Sequence, residues 1–369
     1  MLFHRFGEII IINESCFVKA VHLPYCVNHS RSRSVKGIVS EVSDMNLKRL
    51  MAAAMCVVVL MVCGSAASAE GFAFRPKVSS VYLDEIFGES MVQTWFNLVD
   101  AVMAGEEKFA CPDQETYDWV IHQFPERCFP LLTELIDVDW RRPVKDGVGY
   151  LTYRTSREEF DARLAAFEAQ VEGILNETMK PDYSDLEKAL ALYRYFSENY
   201  RYDYDTLERM SEEYVEEIRC FRFMEGGIGV CQEIAAAYSY LLMEAGVNAT
   251  IMMGDSKLQN TGHAWSYVRI NGNNYHIDPT YALCTGNSLE FFMMTDEKRS
   301  EEYLPENYVI ASCYTQDHPH PAYAADDDAF SPIWDTYLDR FDPDSDVIYS
   351  HRYDDDGEWA EAVFGYRGF

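Results

Sequence analysis

The sequence predicts an α+β fold in which a helix bearing a cysteine packs on an antiparallel sheet. Three observations predict it. A helix-period apolar run spans Cys231 to Ala245 and stops at Gly246. Strand-like runs follow at Val247–Met253, His263–Ile270 and Asn274–Ile277. The pair Asn271-Gly272 between the last two is a strong hairpin-turn signal. Helix, strand, strand, strand with antiparallel pairing at the hairpin is not the order of a doubly wound fold.

The chain ahead of this core divides at its punctuation. Residues 70–180 read as a mainly helical N-terminal region. Within it, Phe160, Leu164, Phe167, Val171, Ile174 and Leu175 recur at helical spacing. FPERCFPLL is punctuated by proline, and VGYLTYRT alternates like a strand. Pro181-Asp182-Tyr183 breaks the chain and opens the core, 181–315. Ser184 and Glu187 have capping-box spacing, with Leu186, Leu190, Tyr193 and Phe196 as the buried face of the helix they start. Thr206 to Arg219 is charged and reads as a surface helix or insertion. LEFFMMTDEK, after Tyr281, offers a further strand and turn. Residues 316–369 read as an acidic, irregular C-terminal segment, with Asp326–Asp328 and Asp354–Asp356 as solvated acid runs.

The N-terminus carries an export signal. In MNLKRLMAAAMCVVVLMVCGSAASA, residues 45–69, Lys48 and Arg49 precede an apolar run from Leu50 to Val62. Ala67-Ser68-Ala69 is a small-residue cleavage site. The expected product is secreted or cell-surface, cleaved near Ala69. The rival is an uncleaved anchor, for which Gly64 to Ala69 is weakly apolar. Residues 1–44 are expected to be a non-native upstream extension, with Met45 as the start; the alternative is a genuine extension ahead of a signal anchor.

Composition bounds the function classes. The 369 residues are 48% hydrophobic and 14% aromatic, enough to bury a sizeable core. Against 31 Lys and Arg stand 61 Asp and Glu, a formal charge of −30. Such acidity excludes a nucleic-acid partner, whose phosphates need clustered cations. Cys111, Cys128, Cys220, Cys231, Cys284 and Cys313 follow the signal, with no CxxC spacing for zinc or redox work. His318 and His320 lack further ligands and the aspartates lack EF-hand spacing, so neither metal nor other cofactor is expected.

The chemistry concentrates at GGIGVCQE. Cys231 stands in the first turn of its helix, where unpaired N–H groups and the dipole favour a thiolate and can form an oxyanion hole. Gly226, Gly227 and Gly229 are expected to open backbone access to a substrate. His263 is the candidate base. If Asn271-Gly272 is a two-residue turn, Ile270 pairs with Asn273 and His263 falls opposite Thr280. Asp278 is then a diagonal neighbour on the same face. There it accepts from the imidazole and fixes its tautomer. His276, of the same parity as Asp278, is the rival base.

These residues resemble a known family. GGIGVCQEIAAAYSYLLMEAGV followed by GHAWSYVRINGNNYHIDPTY is similar to the core of the transglutaminase-like superfamily, in its microbial secreted branch. The similarity covers about Ser184 to Asp296. It implies a papain-like α+β fold with Cys231 as nucleophile, His263 as base and acid, and Asp278 as orienter. Gly229, Gln232, Trp265 and Tyr202 are the residues expected on the substrate side. Trp265 matches the family's H-A-W tryptophan and is expected to pack beside the site. Tyr202 reads either as a cleft wall or as core. The function implied is a thiol enzyme acting on amide bonds of a peptide or protein substrate, including one of the cell envelope, through an acyl-enzyme. Peptide or isopeptide hydrolysis leads. Protein-glutamine transamidation and a non-catalytic surface module on the same fold are the alternatives.

Overall fold

The computed structural model describes residues 71–139, 141–212, 218–257, 262–303, 309–310, 323–353 and 357–369. The expected export signal at 45–69, the expected extension at 1–44, Cys313, His318 and His320 lie outside the described residues. Among the described residues no helix is long and apolar enough to cross a membrane.

The N-terminal region is helical around a small sheet. Helices α1 (Val81–Phe87) and α2 (Glu89–Ala104) lead into β1 (Lys108–Ala110). Helices α3 (Gln114–His122), α4 (Phe124–Cys128) and α5 (Leu132–Leu135) precede β2 (Ile136–Val138) and β3 (Val148–Tyr153). The three strands pair in the order β1-β3-β2, antiparallel throughout. FPERCFPLL, which reads as a break, supplies α4 and the approach to α5. Pro125 sits in the first turn of α4, where its missing N–H costs no hydrogen bond. Helix α6 (Arg157–Thr178) buries Phe160, Leu164, Phe167, Val171, Ile174 and Leu175, the stripe expected from spacing.

Helix α7 (Asp185–Asn199) opens on a complete capping box. The Glu187 N–H donates to Ser184 Oγ at 3.3 Å, and the Ser184 N–H donates to Glu187 Oε2 at 2.6 Å. The two-residue strands β4 (Arg201–Tyr202) and β5 (Ile228–Gly229) pair in parallel. Between them lie α8 (Tyr204–Glu212) and α9 (Cys220–Gly226).

Helix α10 (Cys231–Glu244) is the centre of the fold. Its sequence shows one apolar stripe, yet every residue except Gln232 is buried. A helix covered on all sides is core, not an amphipathic cover. Its C-terminus closes as Gly246 takes φ 90 and the Val247 N–H reaches the Leu242 carbonyl at 2.9 Å. One face lies on β6 (Asn248–Asp255) and β7 (Gly262–Ile270). Two serines stitch helix to sheet: Ser239 Oγ donates to Ser266 Oγ at 2.9 Å, and Ser266 Oγ donates to the Ala235 carbonyl at 3.2 Å.

Strands β6 and β7 join β8 (Asn273–Ile277) and β9 (Val309–Ile310) in one sheet, ordered β8-β7-β6-β9. Asn271 (φ 52) and Gly272 (φ 85) form the two-residue turn, and Ile270 pairs with Asn273. Two successive positive φ values match the right-handed twist of the flanking strands. Helix α11 (Pro279–Thr285) follows at once.

Two expectations are corrected here. LEFFMMTDEK is not a strand: Leu289–Phe291 is a 3-10 turn and α12 spans Asp296–Arg299. Met293 at φ 55 breaks any extended run, leaving a single bridge between His276 and Met294. The C-terminal segment is not irregular either. Strands β10 (Tyr337–Asp342), β11 (Val347–Tyr353) and β12 (Trp359–Gly365) form an antiparallel meander. Acidic residues mask the alternation, but Leu338, Ile348 and Ser350 point inward and are buried.

Residues Phe72–Phe369 fall in one compact unit. The change of pattern near 180 is not a break in packing. One continuous core includes Trp95, Phe167 and Tyr240, and the Phe167 and Tyr240 rings stack at 6.0 Å.

Candidate active site

The start of α10 is built around a buried carboxylate. Glu233, in the first turn, accepts the Val230 N–H on Oε2 at 3.0 Å and the Arg219 N–H on Oε1 at 2.9 Å. Arg222 donates to both oxygens and reaches Asp203 Oδ2 at 3.0 Å. Burial pushes the Glu233 carboxyl up, while Arg222 and the two N–H groups pull against that shift. Pairing with Arg222 keeps a bare negative charge away from the helix start beside Cys231.

Gly229 serves this arrangement. A Cβ on Gly229 would lie 2.7 Å from Glu233 Oε2 and 2.7 Å from Phe223 Cδ2. Only glycine lets the carboxylate fold back onto the Val230 N–H. Gly227, at φ 69, is the left-handed cap that ends α9. Gln232 is partly exposed at the second position of α10.

His263 and Asp278 meet. His263 enters β7 at its second residue, and Asp278 caps α11, accepting the Thr280 N–H on Oδ1 at 3.1 Å. His263 Nε2 lies 2.7 Å from Asp278 Oδ2. Arg299 Nη2 donates to that same oxygen, also at 2.7 Å, and all three residues are buried. Burial opposes charge on Asp278, but His263 and Arg299 together hold its carboxyl below the usual range. An ionised carboxylate only accepts, so the imidazole carries its proton on Nε2. Nδ1, the remaining ring nitrogen, is buried with no hydrogen-bond partner.

The imidazole ring is fixed by aromatics. Tyr303 stacks on the imidazole at 5.3 Å, Trp265 lies at 5.9 Å, and Tyr281 meets it edge-on at 5.7 Å. Burial disfavours the charged ring, yet Tyr303, Asp278 and Cys231 together hold its pKa well above the ordinary value. Cys231 itself is fully buried.

Tyr202 is buried in the core. Its hydroxyl is buried near the Cys231 backbone without completing a hydrogen bond. Burial, with Cys231 and Cys284 nearby, pushes the phenol well above its ordinary pKa. Tyr204 OH lies 3.6 Å from Cys284 Sγ, at the exposed side of the same group.

His276, the rival base, is placed elsewhere. The Trp265 Nε1–H donates to its Nδ1 at 2.7 Å, and its Nε2 lies 2.8 Å from Asp296 Oδ1. Both ring nitrogens are engaged, so no base lone pair remains. This relay commits the indole N–H of Trp265, whose ring is buried beside His263. Arg299 packs on the same ring, 4.4 Å from its centroid. Arg299, Glu233, Tyr303 and Asp296 were not legible as site residues. Among them only Glu233 gives a signal, as an acid three residues after the helix N-cap.

Among the described residues no group of three or more His, Cys, Asp or Glu could hold a metal ion. The cysteines Cys111, Cys128, Cys220, Cys231 and Cys284 are free thiols.

Comparison with known proteins follows the same boundaries. Residues 172–279 match the family model of the transglutaminase-like superfamily, a span that contains Cys231, His263 and Asp278. No curated protein matches. A solved structure of a TGase is 20% identical, with a TM-score of 0.27, over 34% of this chain and 34% of that one. A candidate cysteine protease from Cytophaga hutchinsonii is 22% identical over 25% of this chain and 30% of that one, TM-score 0.21. The periplasmic domain of TgpA from Pseudomonas aeruginosa, bound to ethylmercury, is 21% identical over 26% of this chain and 38% of that one, TM-score 0.21. The chain thus spans about a third of the length of the structures it matches. With a buried helix on an antiparallel sheet and the family model lying across both, residues 172–279 form a transglutaminase-like core.

Proposed function

We propose that the protein is a thiol enzyme that hydrolyses amide bonds of peptide or isopeptide type through an acyl-enzyme on Cys231. The observation that carries this reading is the state of His263. Its Nε2–H is held by an ionised Asp278, and its Nδ1 is buried with no hydrogen-bond partner in the protein, the position left to exchange a proton with Cys231.

In this reading Nδ1 takes the Cys231 proton, and the sulfur attacks the substrate carbonyl carbon. The Cys231 N–H and the Tyr202 hydroxyl donate to the resulting oxyanion. The C–N bond breaks as Nδ1 returns the proton to the leaving nitrogen, leaving a thioester. Water then loses a proton to Nδ1 and attacks that thioester. The C–S bond breaks, and the proton returns to sulfur. Asp278 and Arg299 keep the imidazole oriented throughout. The reading includes an extracytoplasmic location, which rests on residues 45–69 and is checked by sequencing the N-terminus of the exported product.

The test is incubation of the protein with a peptide library, with and without an added primary amine, read by mass spectrometry. Cleaved peptides that are absent with Cys231→Ala support hydrolysis. Products carrying the added amine at glutamine would reassign the acceptor from water to amine. Unchanged turnover by Cys231→Ala would reject the thiol mechanism.

A further inference from the structure

The C-terminal meander carries a surface that the active site does not use. Of the six large hydrophobic side chains exposed among the described residues, three lie on the β11–β12 pair: Tyr353, Trp359 and Val363, at 57%, 56% and 62% exposure. Register explains the concentration. Tyr353 pairs with Trp359, and Tyr349 pairs with Val363. Tyr337 of β10 pairs with His351, one step along. All share the face opposite to Ile348 and Ser350, which are buried.

The rings form one continuous group. His351 stacks with Tyr337 at 5.5 Å and lies 5.9 Å from Trp359 and 5.4 Å from Tyr353. Asp339, at the bulge in β10, fixes the imidazole through Nδ1 at 2.7 Å. Exposed aromatic clusters on a soluble surface mark contact sites, because water is a poor partner for them.

Charge says what the contact is. Asp339 bonds to His351 within the cluster, Glu361 pairs with His351 on the same face, and Glu358 precedes Trp359 in the chain. The two arginines are already engaged: Arg352 lies 3.7 Å from Asp335, and the Arg340 guanidinium sits over the Tyr349 ring, 3.5 Å from its centroid. That last contact shows a ring of this sheet face taking a cation. Ring faces are negative, these acids adjoin them, and the chain carries a formal charge of −30. An anionic partner is therefore disfavoured and a cationic one favoured. Strand β12 is also an edge of its sheet, which suits an extended backbone better than a small amine.

We propose that this face, centred on Trp359 and Tyr353, docks a basic segment of a polypeptide, its lysine or arginine side chains lying over the exposed rings. The proposal is independent of the chemistry at Cys231.

The full chain would be titrated against a fluorescein-labelled decapeptide of alternating lysine and alanine, read by anisotropy. A glutamate counterpart, a serine counterpart and a neutral dextran would be run in parallel. The lysine peptide is expected to bind saturably and to weaken with added salt. Trp359→Ala combined with Tyr353→Ala should weaken it about tenfold, two exposed cation–π contacts together. That variant leaves the net charge unchanged, so it separates the ring surface from the general acidity of the protein. Both positions are exposed, and an unaltered thermal unfolding curve would confirm an intact fold. Equal affinity for the serine peptide, or lysine-peptide binding untouched by the ring variants, would overturn the proposal. So would preferential binding of dextran, or self-association abolished by Trp359→Ala.

Discussion

Arg299 and His263 share one oxygen. Arg299 Nη2 and His263 Nε2 each lie 2.7 Å from Asp278 Oδ2, and the guanidinium also packs against Tyr303 at 4.1 Å and Trp265 at 4.4 Å. The carboxylate that orients the imidazole is thus itself oriented, and a buried cation keeps it charged. Arg299→Met leaves that carboxylate with one partner fewer in a dry site. The variant should lose about 3–5 kcal/mol of stability in denaturant titration, as expected when one member of a buried ion pair is removed. With the cation gone, Asp278 protonates at higher pH, so the acid limb of the activity profile should move upward. A variant with wild-type stability and an unmoved acid limb would exclude this role.

Tyr202 separates stability from activity. Its hydroxyl is buried and makes no hydrogen bond in the resting protein, so Tyr202→Phe removes no native bond. Stability should be unchanged or slightly raised. If the hydroxyl meets the oxyanion, kcat should fall about 10²–10³-fold with KM little changed. Equal kcat in the two proteins would leave Tyr202 as core alone.

Local chemistry made much of this molecule legible. The α6 stripe, the Ser184–Glu187 capping box and the β7–β8 register depend on spacing and turn chemistry within a few residues. The meeting of His263 with Asp278 followed from that register. Arg299 was hidden because it follows LEFFMMTDEK, which reads as a strand and turn with no sign of a buried cation. It is buried only because Asp278 arrives beside it from 21 residues upstream. The structural need for Gly229 was hidden for a similar reason. It is set by Glu233, whose inward turn no periodicity reveals. The C-terminal meander was hidden by its acids, which include Asp344 and Asp346 in the β10–β11 turn, while the inward positions keep their alternation.

Glu244 gives the stability profile a direction. Its carboxyl is buried at the end of α10, accepting from Tyr240 OH at 2.9 Å and the Arg75 N–H at 3.0 Å. Burial raises its pKa to about 7 despite those donors. A folded pKa above the unfolded value means that the native state binds the proton first. Stability therefore rises as pH falls from about 7 toward the ordinary glutamate value near 4.3, and declines as pH rises through 7. Denaturant titrations between pH 5 and pH 8 should show this slope, and Glu244→Gln should flatten it. A slope unaffected by the substitution would assign it to other groups.

The central claim is that Cys231 is activated by His263, and competitive alkylation tests it most directly. Among the free thiols of the described residues, Cys284 is partly exposed and Cys231 is fully buried. Exposure alone therefore ranks Cys284 first. Limited iodoacetamide would be applied to the full chain and to His263→Ala, with each cysteine followed by peptide mass spectrometry. The account predicts that Cys231 is modified ahead of Cys284, and that His263→Ala slows Cys231 by about 10² or more while leaving Cys284 unchanged. Modification led by Cys284, with Cys231 slow in both proteins, would contradict it.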